Sequence, residues 1–174
     1  GTYKDGEYDG LWTEWYENGQ KQLEVTYKDG ELDGLWTEWY ENGQKESEGA
    51  YKDGEVDELH TAWYENGQKK SEKTYKDGIR IGKHESWLDD GTKEWEYYYN
   101  DNGTRDFTKL TTRWYENGQK WYAGYNKTLN DTTSVWNGLY TEWHENGQKK
   151  WEGTYKDGIQ IGKYESWLDD GTKE

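Results

Sequence analysis

The chain has 174 residues and a net charge of −15, with 37 acidic against 22 basic side chains and no Cys, Pro or Met. The missing Cys excludes disulfides and thiolate metal sites, the acidic surface disfavours nucleic acid and anionic lipid, and no apolar run is long enough for an integral membrane segment. Apolar residues make up only 29% of the chain, but 13 Trp and 17 Tyr dominate them, so rings must supply the burial that aliphatic side chains cannot.

Residues 12–21 read WTEWYENGQK, and the same ten letters return at 36–45. Trp15, Trp39, Trp63, Trp87, Trp114, Trp143 and Trp167 mark the period, at spacings of 24, 24, 24, 27, 29 and 24. A turn signal follows each: Asn18-Gly19, Asn42-Gly43, Asn66-Gly67, Asp90-Gly91, Asn117-Gly118, Asn146-Gly147 and Asp170-Gly171. Between them stand Asp29-Gly30, Asp53-Gly54, Asp77-Gly78 and Asp157-Gly158. Such dipeptides favour two-residue hairpin loops in which both residues take φ > 0. The intervening segments are rich in Trp, Tyr, Thr and Val and read as strands, two per repeat. Recurrent Gly leaves no room for helices. The predicted fold is all-β: one array over residues 1–174, built as an elongated single-layer antiparallel meander of consecutive hairpins.

Two-residue loops fix a register. Tyr16 faces Lys21, Trp12 faces Val25, Tyr27 faces Leu32 and Leu23 faces Trp36. One face then carries Trp12, Tyr16, Leu23, Val25, Tyr27, Leu32 and Trp36 and is assigned to the core. The other carries Leu11, Thr13, Trp15, Glu24, Thr26 and Trp39. In this register residue i sits two strands from i + 22, whereas its repeat equivalent is i + 24. The offset predicts a sheared, coiled ribbon. Irregular segments at 97–112 and 123–137 are expected to form longer loops or bulged strands. A longer repeat also shows: TYKDGIRIGKHESWLDDGTKE at 74–94 and TYKDGIQIGKYESWLDDGTKE at 154–174. A duplicated block, ends inside a repeat and no initial Met lead us to expect a processed chain or a fragment.

The unit GLWTEWYENGQK followed by TYKDGE resembles the bacterial variant of the MORN repeat. Gly10 to Lys21 with Thr26 to Glu31 carry it, as do Gly34 to Lys45 with Ala50 to Glu55, and Gly138 to Lys149 with Thr154 to Gly158. The resemblance implies a single-layer sheet of hairpins and brings no catalytic motif. It also implies a surface or secreted repeat protein, or an antitoxin of a toxin–antitoxin pair.

No catalytic, cofactor-binding or metal-ligating set emerges from the residues. His60 and His84 share a column with Trp12 and Trp36, which later holds Tyr140 and Tyr164, so flat-ring packing is preferred over a metal or a pH switch. His144 replaces the Tyr of Tyr16, Tyr40 and Tyr64. NDNGTRD at 100–106 lacks the ligand spacing of a calcium loop. Three sequons begin at Asn102, Asn126 and Asn130. The seven Trp of the column are the candidate contact ladder for a glycan or a protein partner. Packing between repeats competes with that role, with Lys70 and Lys150 expected across from Trp63 and Trp143. The resulting expectation is a non-enzymatic scaffold that binds a protein or self-associates through its sheet edges, placed at a bacterial surface or outside the cell. An antitoxin covering a basic toxin and a carbohydrate-binding surface are the alternatives.

Overall fold

The computed structural model describes residues 1–130 and 133–174. The sequon beginning at Asn130 extends into Asp131 and Thr132, outside the described residues. β1 (Tyr3–Lys4) and β2 (Glu7–Tyr8) form a small two-stranded sheet. The main sheet contains β3 (Gly10–Trp15), β4 (Lys21–Lys28), β5 (Glu31–Trp39), β6 (Lys45–Lys52), β7 (Glu55–Trp63), β8 (Lys69–Lys76) and β9 (Ile79–Trp87). It continues with β10 (Lys93–Tyr99), β11 (Thr111–Trp114), β12 (Lys120–Asn130), β13 (Thr133–Trp143), β14 (Lys149–Lys156) and β15 (Ile159–Ser166). Strands follow one another from β3 to β15 in chain order, as an antiparallel meander that does not close. The chain divides into two compact units, residues 1–91 with 99–104, and residues 92–98 with 105–174.

The two kinds of turn are built differently. At Asp29-Gly30, Lys28 pairs with Glu31, and Asp29 and Gly30 have φ of 47° and 84°. This is the expected two-residue loop with both residues left-handed, and Asp53, Asp77 and Asp157 repeat it at φ of 48°, 47° and 52°. The Asn-Gly turns depart from expectation. Tyr16 N donates to Gln20 O and Gly19 N donates to Tyr16 O, so Glu17, Asn18 and Gly19 form a three-residue loop. Only the glycine takes positive φ there, 83° at Gly19. Asn18 Oδ1 accepts from Gln20 N at 2.9 Å, which lets Asn hold the loop without adopting the left-handed conformation.

The register corrects the expected shear. Trp12 pairs with Val25 and Tyr27 with Leu32, as anticipated, but Val25 pairs with Trp36, and Leu23 with Glu38. A bulge between Val25 and Tyr27 sets Asp33, Gly34 and Leu35 against Thr26 alone. It absorbs the two residues that would otherwise offset each repeat, so Trp12 and Trp36 lie two strands apart in line. The bulge needs a left-handed residue: Gly34 has φ of 130° and Gly138 has 122°. A second bulge, between Glu14 and Trp15, pairs Trp15 with Lys21 instead of Tyr16 with Lys21. In the irregular regions, residues 100–110 between β10 and β11 form two small loops, closed by Asn100 N to Thr104 O and by Lys109 N to Asp106 O. Residues 123–130 and 133–137 lie on β12 and β13, which pair with a bulge at Gly124 to Asn126.

Each face of the sheet carries some buried side chains. Val25 and His84 are the most buried large side chains, on the face assigned to the core. There, rings touch across the strands: in unit 1, Trp36 stacks on His60 at 5.9 Å, and His84 meets Tyr75 at 5.7 Å and Tyr99 at 4.6 Å. In unit 2, Trp136 meets Tyr140 at 4.5 Å and Trp151 stacks over Tyr164 at 6.2 Å. The opposite face buries Thr37, Thr61 and Thr141 beside the tryptophan column. Polar threonines rather than aliphatics fill that layer, which is how so small an aliphatic supply suffices.

One repeat breaks the bulge rule. Glu58 occupies the position of Gly34 and is forced to φ of 59°. A left-handed residue with a Cβ costs about 1–2 kcal/mol. Glu58→Gly is therefore expected to stabilise the chain by about 1 kcal/mol, raising the melting temperature by about 2–4 °C in a thermal melt followed by circular dichroism.

Candidate functional site

The tryptophan column sits at the ends of β3, β5, β7, β9, β11 and β13 and just beyond β15, beside the Asn-Gly and matching Asp-Gly loops. From Trp39 onward a lysine of the preceding repeat lies over each ring: Lys21 over Trp39 at 5.4 Å, Lys45 over Trp63 at 5.8 Å and Lys69 over Trp87 at 5.9 Å. In unit 2, Lys93 lies over Trp114 at 5.2 Å, Lys120 over Trp143 at 5.6 Å and Lys149 over Trp167 at 5.6 Å. These lysines are not the ones expected. Lys70 lies over Tyr64 at 5.4 Å, and Lys150 pairs with Glu142 at 2.8 Å. Bulges beside Trp15, Trp39, Trp63, Trp114 and Trp143 explain the change, because each turns the first lysine of the next strand onto the tryptophan face. Five of these six lysines also form ion pairs three residues on, Lys21 with Glu24, Lys45 with Glu48, Lys69 with Glu72, Lys93 with Glu96 and Lys149 with Glu152. Trp15, which no such lysine precedes in this chain, is 59% exposed.

The loops themselves are joined repeat to repeat. Tyr16 OH donates to Trp39 O at 2.7 Å, Tyr40 OH to Trp63 O at 2.8 Å and Tyr64 OH to Trp87 O at 2.9 Å. Asn18 Nδ2 donates to Glu41 O at 2.8 Å and Asn42 Nδ2 to Glu65 O at 2.9 Å. In unit 2, Tyr115 OH donates to Trp143 O at 2.9 Å. His144 keeps the bond when it replaces Tyr, with Nε2 donating to Trp167 O at 2.9 Å. Gln20 lies against Gly43, so closely that a Cβ there would stand 1.9 Å from Gln20 Oε1. Each letter of Trp-Tyr-Glu-Asn-Gly-Gln-Lys thus has a partner in a neighbouring repeat.

His60 and His84 behave as flat rings within the stack. Among the described residues no three His, Asp or Glu side chains converge to hold a metal. In the 100–106 stretch, Thr104 N donates to Asn102 Oδ1 at 3.1 Å and Thr108 N to Asp106 Oδ1 at 3.0 Å, so these side chains serve the turns. A cleft of about 510 Å³ in unit 2 is lined by His144, Lys150, Trp151, Trp167 and Glu174 among others.

A family model described as MORN repeat variant matches residues 8–29, 32–53, 59–77 and 136–157. The chain is a MORN-repeat-variant protein. No curated protein matches it at a significant level. The MORN matches fall on regular hairpins and leave out residues 78–135.

Two outcomes follow from this geometry. Tyr40→Phe removes the donor to Trp63 O from a half-buried site and is expected to cost about 1 kcal/mol in denaturant unfolding. His84 is held neutral below its ordinary range chiefly by burial, with the cations of Arg80 and Lys73 adding to the effect and the bond from Nε2 to Thr74 O opposing it. An unfolded His titrates near pH 6.5. Below that pH the unfolded chain binds a proton that the folded chain refuses, so stability is full above about pH 6.5 and falls as the pH drops toward the lowered folded pKa. Melts between pH 7 and 5 should show this loss, and His84→Tyr should reduce its slope.

Proposed function

We propose that the chain is a non-enzymatic repeat scaffold that presents the tryptophan-column face to other polypeptides. One observation carries this reading. Leu11, Leu35 and Leu59 recur once per repeat on that face and are 54%, 55% and 51% exposed. Strand spacing sets them roughly 10 Å apart in a row. A leucine half in water contributes little to folding, and a row of them marks a contact surface. The net charge of −15 favours a partner with a basic rim around an apolar centre, which fits an immunity-type role as well as a surface assembly. The outer strands β3 and β15 offer a route for copies to associate. Glycan stacking has less to support it, because a lysine already covers one face of six of the seven rings.

The triple variant Leu11→Ser, Leu35→Ser, Leu59→Ser tests the scaffold reading. It is expected to melt within a few degrees of the parent and to lose association with a Leu/Lys copolymer peptide, measured by light scattering and titration. A variant that unfolds, or that binds the peptide as the parent does, assigns the row to packing and overturns the reading.

A further inference from the structure

The duplicated 21-residue blocks differ at two positions, Arg80 against Gln160 and His84 against Tyr164. Extending the 80-residue offset back to residue 60 adds five more differences: Lys73 against Gly153, Ser71 against Trp151, Tyr64 against His144, Ala62 against Glu142 and His60 against Tyr140. At five of the seven positions the first copy gains a cationic or titratable nitrogen or loses a carboxylate; Ser71 stands where the second copy has a ring, and Tyr64 runs the other way, against His144. All five residues belong to one sheet face. Lys73 is two residues from Tyr75 on β8, Tyr75 pairs with Arg80, and His60 pairs with Lys73.

In the second copy this place is filled and neutral. The Trp151 indole covers Gly153, where a Cβ would stand 2.4 Å from the ring, and it stacks on Tyr164. Glu142 holds Lys150 at 2.8 Å. In the first copy the matching Ser71 brings no ring, and Ala62 brings no carboxylate. Lys70, the counterpart of Lys150, turns to the Tyr64 ring instead. The Tyr99 phenol, and after it the Tyr75 phenol, raise the pKa of Arg80. Lys73 is half-buried, and burial followed by the like charges of Arg80 and Lys70 pushes its pKa down. No carboxylate lies within ion-pair distance of Lys73 or Arg80 among the described residues. His60 Nδ1 is buried without a hydrogen-bond partner. A chain of net charge −15 thus gathers cations on a ring-lined face and withholds the acid that its own second copy supplies.

We propose that Lys73 and Arg80, with Lys70 at the rim, bind a carboxylate carried on a flat or apolar group. Arg offers the paired donors that a carboxylate accepts, and Lys73 supplies the second charge. Trp36, His60, Tyr75 and Tyr99 flank the site with rings that suit an aromatic carrier. The overall negative charge penalises a phosphate dianion more than a carboxylate monoanion. The site lies on the ring face, opposite the leucine row, and stands independently of the scaffold reading.

Titration calorimetry of the full chain with sodium benzoate at low ionic strength tests the assignment, with inorganic phosphate as the comparison. Saturable one-to-one binding of benzoate is expected. Arg80→Gln installs the residue of Gln160, which the same strand tolerates in the second copy, and should weaken binding about tenfold or more. Lys73→Gln should act in the same direction, and Ala62→Glu should weaken binding by setting a carboxylate on the same face beside Lys70. Far-UV spectra separate lost affinity from lost fold, and if one variant unfolds the other two decide. Absence of saturable benzoate binding, or affinity unchanged in the folded variants, overturns the site. Tighter binding of phosphate than of benzoate overturns the carboxylate assignment.

Discussion

The fold depends on hydrogen bonds that leave one hairpin loop and end on the next. A loop at the end of a β-hairpin is ordinarily its least supported part, and a lone two-stranded hairpin is marginal in water. Here the loop side chains of Tyr16 and Asn18 donate to the backbone carbonyls of Trp39 and Glu41, and the pattern repeats at Tyr40 and Asn42. Each unit of about 24 residues therefore stabilises its neighbour at the point where the neighbour is weakest, in the nearest-neighbour manner of repeat proteins. The lysine over each following tryptophan adds about 0.5–1 kcal/mol of cation–π attraction at this exposed edge.

These ladders require that equivalent residues align, and alignment comes from the unequal turns. The two-residue loop at Asp29-Gly30 and the three-residue loop at Glu17 to Gly19 would leave a residual offset if the strands were regular. The bulge at Gly34 removes it. Were each repeat displaced by two residues, Lys21 could not lie over Trp39, nor could Asn18 reach Glu41. A glycine that looks incidental in the sequence thus governs whether the repeated letters meet. Where Glu58 replaces it, the chain keeps the bulge at the cost of backbone strain, which shows how firmly the neighbouring repeats impose the register.

Much of this was legible in the sequence because the period is short and punctuated by glycine. Strand positions, turn positions and the pairing of Trp12 with Val25 follow from the dipeptides alone. The Asn-Gly dipeptide suggests a two-residue turn because Asn tolerates positive φ; the bond that Gln20 N donates to Asn18 Oδ1 supports the longer loop instead. Bulges leave no signal in a pattern of period two, so the register at Trp36 and the lysine assigned to each tryptophan could not be read. The aromatic column of His60 and His84 was correctly read as flat-ring packing, from the Trp and Tyr that replace them in other repeats. Invisible in the letters was the pooling of Lys73, Arg80 and His84 on one face, since it depends on which strands become neighbours.

The carbonyl-bound asparagine amides are the most direct measure of this account. Hydrogen-exchange NMR of the Nδ2 protons of Asn18, Asn42 and Asn66 reports on the bonds between loops alone. Exchange well below the rate of a solvated carboxamide at all three is the expected result. Rates equal to those of a free asparagine side chain, in a chain whose strand amides remain protected, would show that the loops are not joined and that the repeats are held together by something else.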